Sequence, residues 1–241
     1  MSLTYTSYVS TLAGMLVIPV TDTDFQAQLP NFIDSAELRI YRDVDILDTV
    51  VRDTSAATIA NSRDFTLPSF AGRFVVVNGV NIITPSGSAL TTGGSRKQLY
   101  ATSRDYIDAV WPSEVAQENN TAPQCFAMLT SQRVIFGPPP GAIFNVEVVG
   151  TIRPTPLSVS NPTTVLSLYY ADLFLAASMI FGAAYQKNFS ASADDPRAAS
   201  SWTTHYQSLL QQTNLEEFRK KFAASAWSSL PQSPTAQPPR N

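Results

Sequence analysis

Residues 165–187 read VLSLYYADLFLAASMIFGAAYQK. Leu166, Leu168, Leu173, Phe174, Leu175, Ile180 and Phe181 leave no polar stripe around a helix of this length. A helix that is apolar nearly all round must be covered on every side, by its own domain or by a neighbouring subunit. A membrane span is the competing reading. Each large apolar residue here contributes about −0.3 to −0.6 kcal/mol to insertion, while Asp172 alone costs roughly 2.5–3.5 kcal/mol. The sum is near zero and no basic cluster flanks the stretch, so the segment reads as the buried centre of a helical bundle, with no membrane partner.

Downstream, 190–196 reads as a loop and a final helix runs from about Arg197 to Ala226. Its apolar residues change phase. Trp202, Tyr206, Leu209, Leu210 and Thr213 share one face, whereas Leu215, Phe218 and Phe222 lie roughly opposite at 100° per residue. The helix either breaks near Asn214 or presents its second half to a different contact, which we expect to be another chain. Residues 228–241 carry Pro231, Pro234, Pro238 and Pro239 and almost no large apolar side chain. They cannot build a core and read as an extended arm.

Upstream, Thr4–Val17 reads as a short helix ended by Pro19. Thr21 or Asp22 can cap the next one by accepting a free N–H, and Pro30 suits a first helical position. Phe32, Ile33, Ala36, Ile40, Val44 and Leu47 then recur at helical spacing, with Glu37, Arg39, Arg42 and Asp43 largely on the other side. The middle of the chain is β-rich. Residues 72–83 contain Asn78-Gly79 between β-branched runs, a hairpin signal, because a type I′ turn needs positive φ twice. Residues 86–95 read as a loop, 99–111 is ambiguous, and 124–136 and 143–151 read as two strands around Gly137–Gly141. Arg153-Pro154 leaves them in an extended linker.

The predicted class is therefore α+β. A helical bundle forms from the two ends of the chain (1–62 and 163–227), with an inserted antiparallel β-rich domain (63–162) and an extended C-terminal arm (228–241). Neither helical end buries its apolar face alone, so the two must pack together.

Composition narrows function. The chain has 241 residues, 44% apolar and only 15% charged, with a net charge of −3. Charged residues usually make up about 25%, so less of this surface is built to face water, which points to large partner contacts. The acidic balance argues against a nucleic-acid binder held by a basic patch. One cysteine, Cys125, allows no internal disulfide. With His205 it cannot complete a zinc site, and no EF-hand loop pattern occurs. No basic residue precedes the apolar patch Leu12–Val20, so no signal peptide is expected.

No catalytic constellation emerges. Gly93-Gly94-Ser95-Arg96-Lys97 lacks the phosphate-loop pattern, and no GxSxG elbow or GxGxxG motif follows a strand. Asp53-Thr54-Ser55-Ala56 is similar to the Asp-Thr-Gly-Ala signature of aspartic proteases, but serine replaces the glycine and no second copy occurs. It is the only foothold for a hydrolase. His205 reads as a helix-surface histidine and Cys125 as a small buried group. Asp194-Asp195 suit capping of the final helix, and Arg219-Lys220-Lys221 suits its C-terminal dipole. The sequons at Asn119 and Asn188 mean nothing without secretion. No catalytic, cofactor or metal residue is assigned.

Four segments carry a family resemblance. Residues 29–42 (LPNFIDSAELRIYR) are similar to a helix of pattern LPxFIxxAExRIxR, and 65–70 (FTLPSF) to an LPxDF entry into a β insert. Residues 134–140 (VIFGPPP), with Val146–Gly150 and Pro156-Leu157-Ser158, form the third segment, and Val165–Lys187 the fourth. Together they resemble the head-to-tail adaptor (connector) proteins of tailed bacteriophages, in particular the tubular adaptor of short-tailed phages. The chain departs from the pattern at Phe70 and in a longer 86–94 loop.

The resemblance implies a ring of twelve copies below the portal protein, through which double-stranded DNA passes without specific binding. The bundle would form the ring, and the β insert would face a tail nozzle or tail fibre protein. The arm would reach the portal. The protein would then be a virion component of the tail or neck, assembled in the host cytoplasm. A tail-completion or minor capsid protein is the alternative, and an aspartic-type hydrolase a remote one. Expected portal-contacting residues are Phe218, Phe222, Trp227, Leu230, Pro231, Pro234 and Arg240. Expected subunit-interface residues are Leu166, Tyr169, Tyr170, Phe174 and Phe181.

Overall fold

The computed structural model describes residues 2–189 and 198–224. Helix α1 (Tyr5–Leu16) starts where Thr4 and Ser7 cap each other, the Thr4 N–H donating to Ser7 Oγ at 2.8 Å and the Ser7 N–H to Thr4 Oγ1 at 3.4 Å. Such a cap is worth about 1 kcal/mol. Asp22 caps α2 (Thr23–Asp43) by accepting the Phe25 N–H at 2.8 Å. Pro30 lies inside α2, not at its first position. It is exposed there, and the Gln26 carbonyl that loses its helical donor is on the solvent side as well.

Strands β1 (Val50–Ala57), β2 (Asp64–Thr66) and β3 (Gly72–Thr84) follow, then β4 (Ser95–Gln98), β5 (Tyr100–Ala101) and helix α3 (Arg104–Val110). Next come β6 (Cys125–Thr130), β7 (Arg133–Gly137) and β8 (Asn145–Pro154), and finally helices α4 (Val165–Tyr169), α5 (Ala171–Phe189) and α6 (Ala198–Ala224). The class is α+β, as expected.

The chain divides into two compact units. Residues up to Leu47 and from Val165 onward form a helical unit, and Asp48–Thr164 form a β-rich unit. The β-rich unit therefore starts earlier than residue 63. The reason is β1, which pairs with β8 from Val50↔Thr151 to Ala57↔Asn145. As an edge strand with polar Arg52, Asp53, Thr54 and Ser55, it carries little alternation to announce itself.

In the helical unit, α5 is the centre, packed against α1, α2 and α6. Tyr8 of α1 stacks on Phe174 of α5, with centroids 4.5 Å apart, and its hydroxyl shares a hydrogen bond with Ser178. Phe32 of α2 meets Tyr185 edge-on at 5.4 Å. Gly182 lets α1 approach, since a Cβ there would lie 2.8 Å from a Leu16 methyl. Among the described residues, no helix is long and apolar enough to cross a membrane.

The β-rich unit has two four-stranded sheets, β1-β8-β3-β4 and β2-β7-β6-β5. All pairings are antiparallel except the short parallel β5–β6 pair. Phe65, Phe74, Val80, Ile82, Phe136 and Val148 belong to one core drawn from both sheets. Asn78-Gly79 is not a hairpin. Neither residue has positive φ, and β3 pairs with β8 from Gly72↔Pro154 to Ile82↔Val146, with an irregularity between Val77 and Gly79. Continuous pairing with a long neighbour outweighs the local turn preference. Conversely, the segment 124–136 is two strands, β6 and β7, turned at Ser131-Gln132. The ambiguous 99–111 segment splits into β5 and α3, capped by Ser103.

Candidate interaction surfaces

The last helix does not break near Asn214: α6 is continuous from Ala198 to Ala224. Its buried face continues as Tyr206, Thr213 and Glu217, spaced seven and four residues apart, so the covered stripe turns polar while the apolar residues turn outward. Phe218 is 69% exposed, Phe222 is 47% exposed, and Leu215 is exposed beside them. The two phenylalanine rings lie 6.5 Å apart. Arg219 is exposed on the same half of the helix.

Beneath that half is a polar clamp. Glu217, 3% exposed, accepts the Leu47 N–H on Oε2 at 2.6 Å, and its Oε1 accepts the Tyr170 hydroxyl and Lys220 Nζ. Lys220 also donates to the Tyr170 oxygen and pairs with Glu216 at 2.8 Å, and Lys221 pairs with Asp45. Burial pushes the Glu217 carboxyl up, but hydrogen bonds from Tyr170, Leu47 and Lys220 outweigh it and hold the group below the usual carboxylate value. Burial, then the hydrogen bond to Glu217, pushes Tyr170 up to about 12. Burial pulls Lys220 down, and bonds to Glu216, Tyr170 and Glu217 reverse that, so its ammonium is held charged. A second link ties Tyr206 to α2, its hydroxyl donating to Asp43 at 2.7 Å with the Arg39 guanidinium 4.6 Å above its ring.

The sequence-selected residues separate accordingly. Leu166 and Phe174 are fully buried and Tyr170 nearly so, within their own unit. They are covered without a second copy, because α5 packs against α1, α2, α4 and α6. Tyr169, 68% exposed, and half-buried Phe181 keep surface available to a neighbour. Trp227, Leu230, Pro231, Pro234 and Arg240 lie outside the described residues, as do Asp194 and Asp195.

Asp53 sits on β1 and accepts the Ser55 N–H and hydroxyl at 2.8 and 2.6 Å, a local turn-type arrangement. Cys125 is buried and donates to the Gly137 carbonyl. His205 is exposed beside Trp202. Among the described residues, no cluster of three or more metal-ligating side chains occurs. The reading from residues did not single out Glu217 and placed Lys220 only in a basic run suited to the helix dipole. Their signal was present, since Glu216 and Glu217 precede Lys220 and Lys221 by one helical turn, but only packing shows that Glu217 faces inward.

The fold is thus a helical unit with an outward apolar helix face and a β-rich unit of two sheets, an α+β protein. A model of the family described as SU10 adaptor protein matches residues 4–231. The chain belongs to this family of phage adaptor proteins, structural components of the virion. No curated protein matches the chain.

Proposed function

We propose that this protein is a head-to-tail adaptor that assembles as a ring, of twelve copies in the reading its family resemblance suggests, and joins the portal protein to the tail. The observation that carries the reading is the α6 face. Leu215, Phe218 and Phe222 point to solvent from a helix whose opposite side is clamped by Glu217 and Lys220. A rigid helix that exposes two neighbouring phenylalanines is built for a partner. A head-to-tail contact between copies closes into a ring when its rotation closes. Tyr169 and Phe181 are the remaining candidates for that contact, and the segment 228–241 is the candidate arm toward the portal.

DNA threads the ring without specific binding. Residues 1–64 hold nine acidic and four basic side chains, which suits a bore that does not retain phosphates. Charge acts there only within about 8–10 Å, the screening length of physiological salt. A tail nozzle or fibre protein meets the β-rich unit, the neck of a short-tailed virion is the setting, and assembly takes place in the host cytoplasm.

Particle mass tests this reading, measured by native mass spectrometry on the chain alone and after mixing with portal protein. A closed multimer with the portal supports it. A chain that stays monomeric with and without the portal overturns it, as would a ring whose bore is lined continuously by Arg and Lys.

A further inference from the structure

Within the β-rich unit, the loop between β2 and β3 carries Phe70, which is 93% exposed. That loop is pinned on both sides. Leu67 is buried in the core, and its N–H donates to the Gln132 carbonyl at 3.0 Å. Gly72 has a φ of +146°, and a Cβ there would come 2.3 Å from the Arg153 carbonyl, so a glycine is needed where the loop re-enters the sheet against β8. Next to Gly72, Arg73 stands directly opposite Arg153 in the β3–β8 ladder. Like charges in that position repel. Both arginines are exposed, and among the described residues neither pairs with a carboxylate. Arg73 donates only to the Ser131 hydroxyl, at 3.3 Å.

The same unit has a cleft of about 210 Å³, lined by Trp111, Val115, Pro138 and Pro139 with Gln117 and Glu118 among its polar residues. Loop and cleft lie at opposite ends of β7. That strand starts after Gln132, the anchor of Leu67, and finishes at Gly137, where an added Cβ would come within 2.6 Å of the Trp111 ring. The indole is fixed in place. The Trp111 backbone N–H donates to the Ile107 carbonyl at 2.8 Å, and Arg63 donates to the Trp111 carbonyl at 3.2 Å while pairing with Asp108 at 2.6 Å. A cavity of about 150 Å³ is enough to hold benzene, so this cleft accommodates a phenyl ring. Its rim is acidic. Glu118 and Glu114 are exposed, and among the described residues neither pairs with a cation.

We infer that Phe70 of one copy enters the Trp111 cleft of a second copy, with Arg73 and Arg153 of the first against Glu114 and Glu118 of the second. An exposed aromatic then meets an apolar cleft, and unpaired guanidinium groups meet unpaired carboxylates. Because the two surfaces differ and sit at opposite ends of one unit, the contact is head-to-tail, the kind that repeats from copy to copy. The inference rests on the reading of the protein as a multimer, and it gives the β-rich unit a part in that assembly beside the α6 face.

The test mixes two full-length chains under mild oxidation, alone and with portal protein. One carries Ser69→Cys beside Phe70, the other Gln117→Cys in the cleft. A disulfide-linked dimer should form in greater yield than from either chain alone. Phe70→Ala in the first chain should weaken the contact about 30-fold or more, the loss expected of an aromatic anchor. Phe70, Glu118 and Arg153 are exposed, so their substitution spares the fold, confirmed by an unchanged thermal melt. Arg153→Glu in the first chain or Glu118→Arg in the second should each lower the yield about tenfold, and the two together should restore it. Absence of the cross-linked dimer, or a yield indifferent to Phe70→Ala and to both charge reversals, overturns the inference. The adaptor reading is judged separately by particle mass. A multimer of unchanged mass without the cross-link leaves that reading intact and sinks this contact, whereas chains that cross-link as described but never join the portal sink only the adaptor reading.

Discussion

The Glu217 carboxylate accepts the Leu47 N–H at 2.6 Å, across 170 residues of sequence. Leu47 is the last residue of the N-terminal part of the helical unit. The last helix therefore fastens the point at which the chain leaves that unit, and it does so with the same carboxylate that holds Tyr170 of the α4–α5 junction and Lys220.

Glu217→Ala should cost about 2–3 kcal/mol, because it strips a partly buried N–H and a buried hydroxyl of a charged acceptor. Lys220 is partly exposed and can rehydrate, which keeps the loss below that of a fully buried pair. Urea unfolding followed by circular dichroism checks it. A change below about 0.5 kcal/mol would show that the clamp adds nothing to stability.

Acid should weaken the protein through two carboxylates. The Glu147 carboxyl is held below its ordinary value first by the hydrogen bond from Arg96, against burial, with help from Asn81 and from the charges of Arg96 and Arg52. Arg96 pairs with it at 2.9 Å and Asn81 donates at 2.8 Å. A lowered folded value means the folded state releases its proton more readily than the unfolded one. The stabilisation is complete above the ordinary carboxyl value of 4.5 and disappears as pH falls through the lower folded value. Glu217 has the same sign. Unfolding free energies measured from pH 7 downward should stay flat to about 5 and then drop. Arg96→Met should shrink the drop.

At the alkaline end the sign reverses. Tyr170 is raised from 10.0 to about 12, so the neutral phenol is favoured in the fold and stability is lost as pH rises through that interval. Tyr170→Phe should remove this part of the alkaline loss, as read from the pH dependence of the thermal midpoint.

Phe218→Asp with Phe222→Asp should leave the isolated chain within about 0.5 kcal/mol of its original stability, since both side chains are exposed. The same pair should abolish ring or portal assembly in the mass measurement. Assembly of normal stoichiometry in the double variant would remove the α6 face from the interface.

Gly150→Ala should cost about 1–3 kcal/mol, the range for overpacking. A Cβ at Gly150 would come 2.2 Å from the Val76 carbonyl on β3, a backbone atom that cannot move aside without disturbing the β3–β8 ladder. A soluble variant with an unchanged unfolding midpoint would mean that the strands separate there freely.

What the sequence determined by itself is the order helix, β insert, helix, because apolar periodicity is local. The stripe Phe32, Ile33, Ala36, Ile40 is buried as its spacing demands, and Asp22 caps α2 as its side-chain chemistry suggests. What only tertiary structure decided is every feature that depends on a distant partner. The polar β1 became a strand because β8 offered it an edge. Asn78-Gly79 stayed extended because pairing along β8 outweighed a two-residue turn preference. Leu166, Tyr170 and Phe174 became core because they face the inside of their own unit, while Tyr169 between them stays exposed. The phase change in α6 was legible as a pattern, but its meaning was not. A glutamate at a buried position looks like a surface residue until Leu47, Tyr170 and Lys220 arrive to satisfy it, and with Glu217 inward Phe218 lies exposed on the other side of the helix.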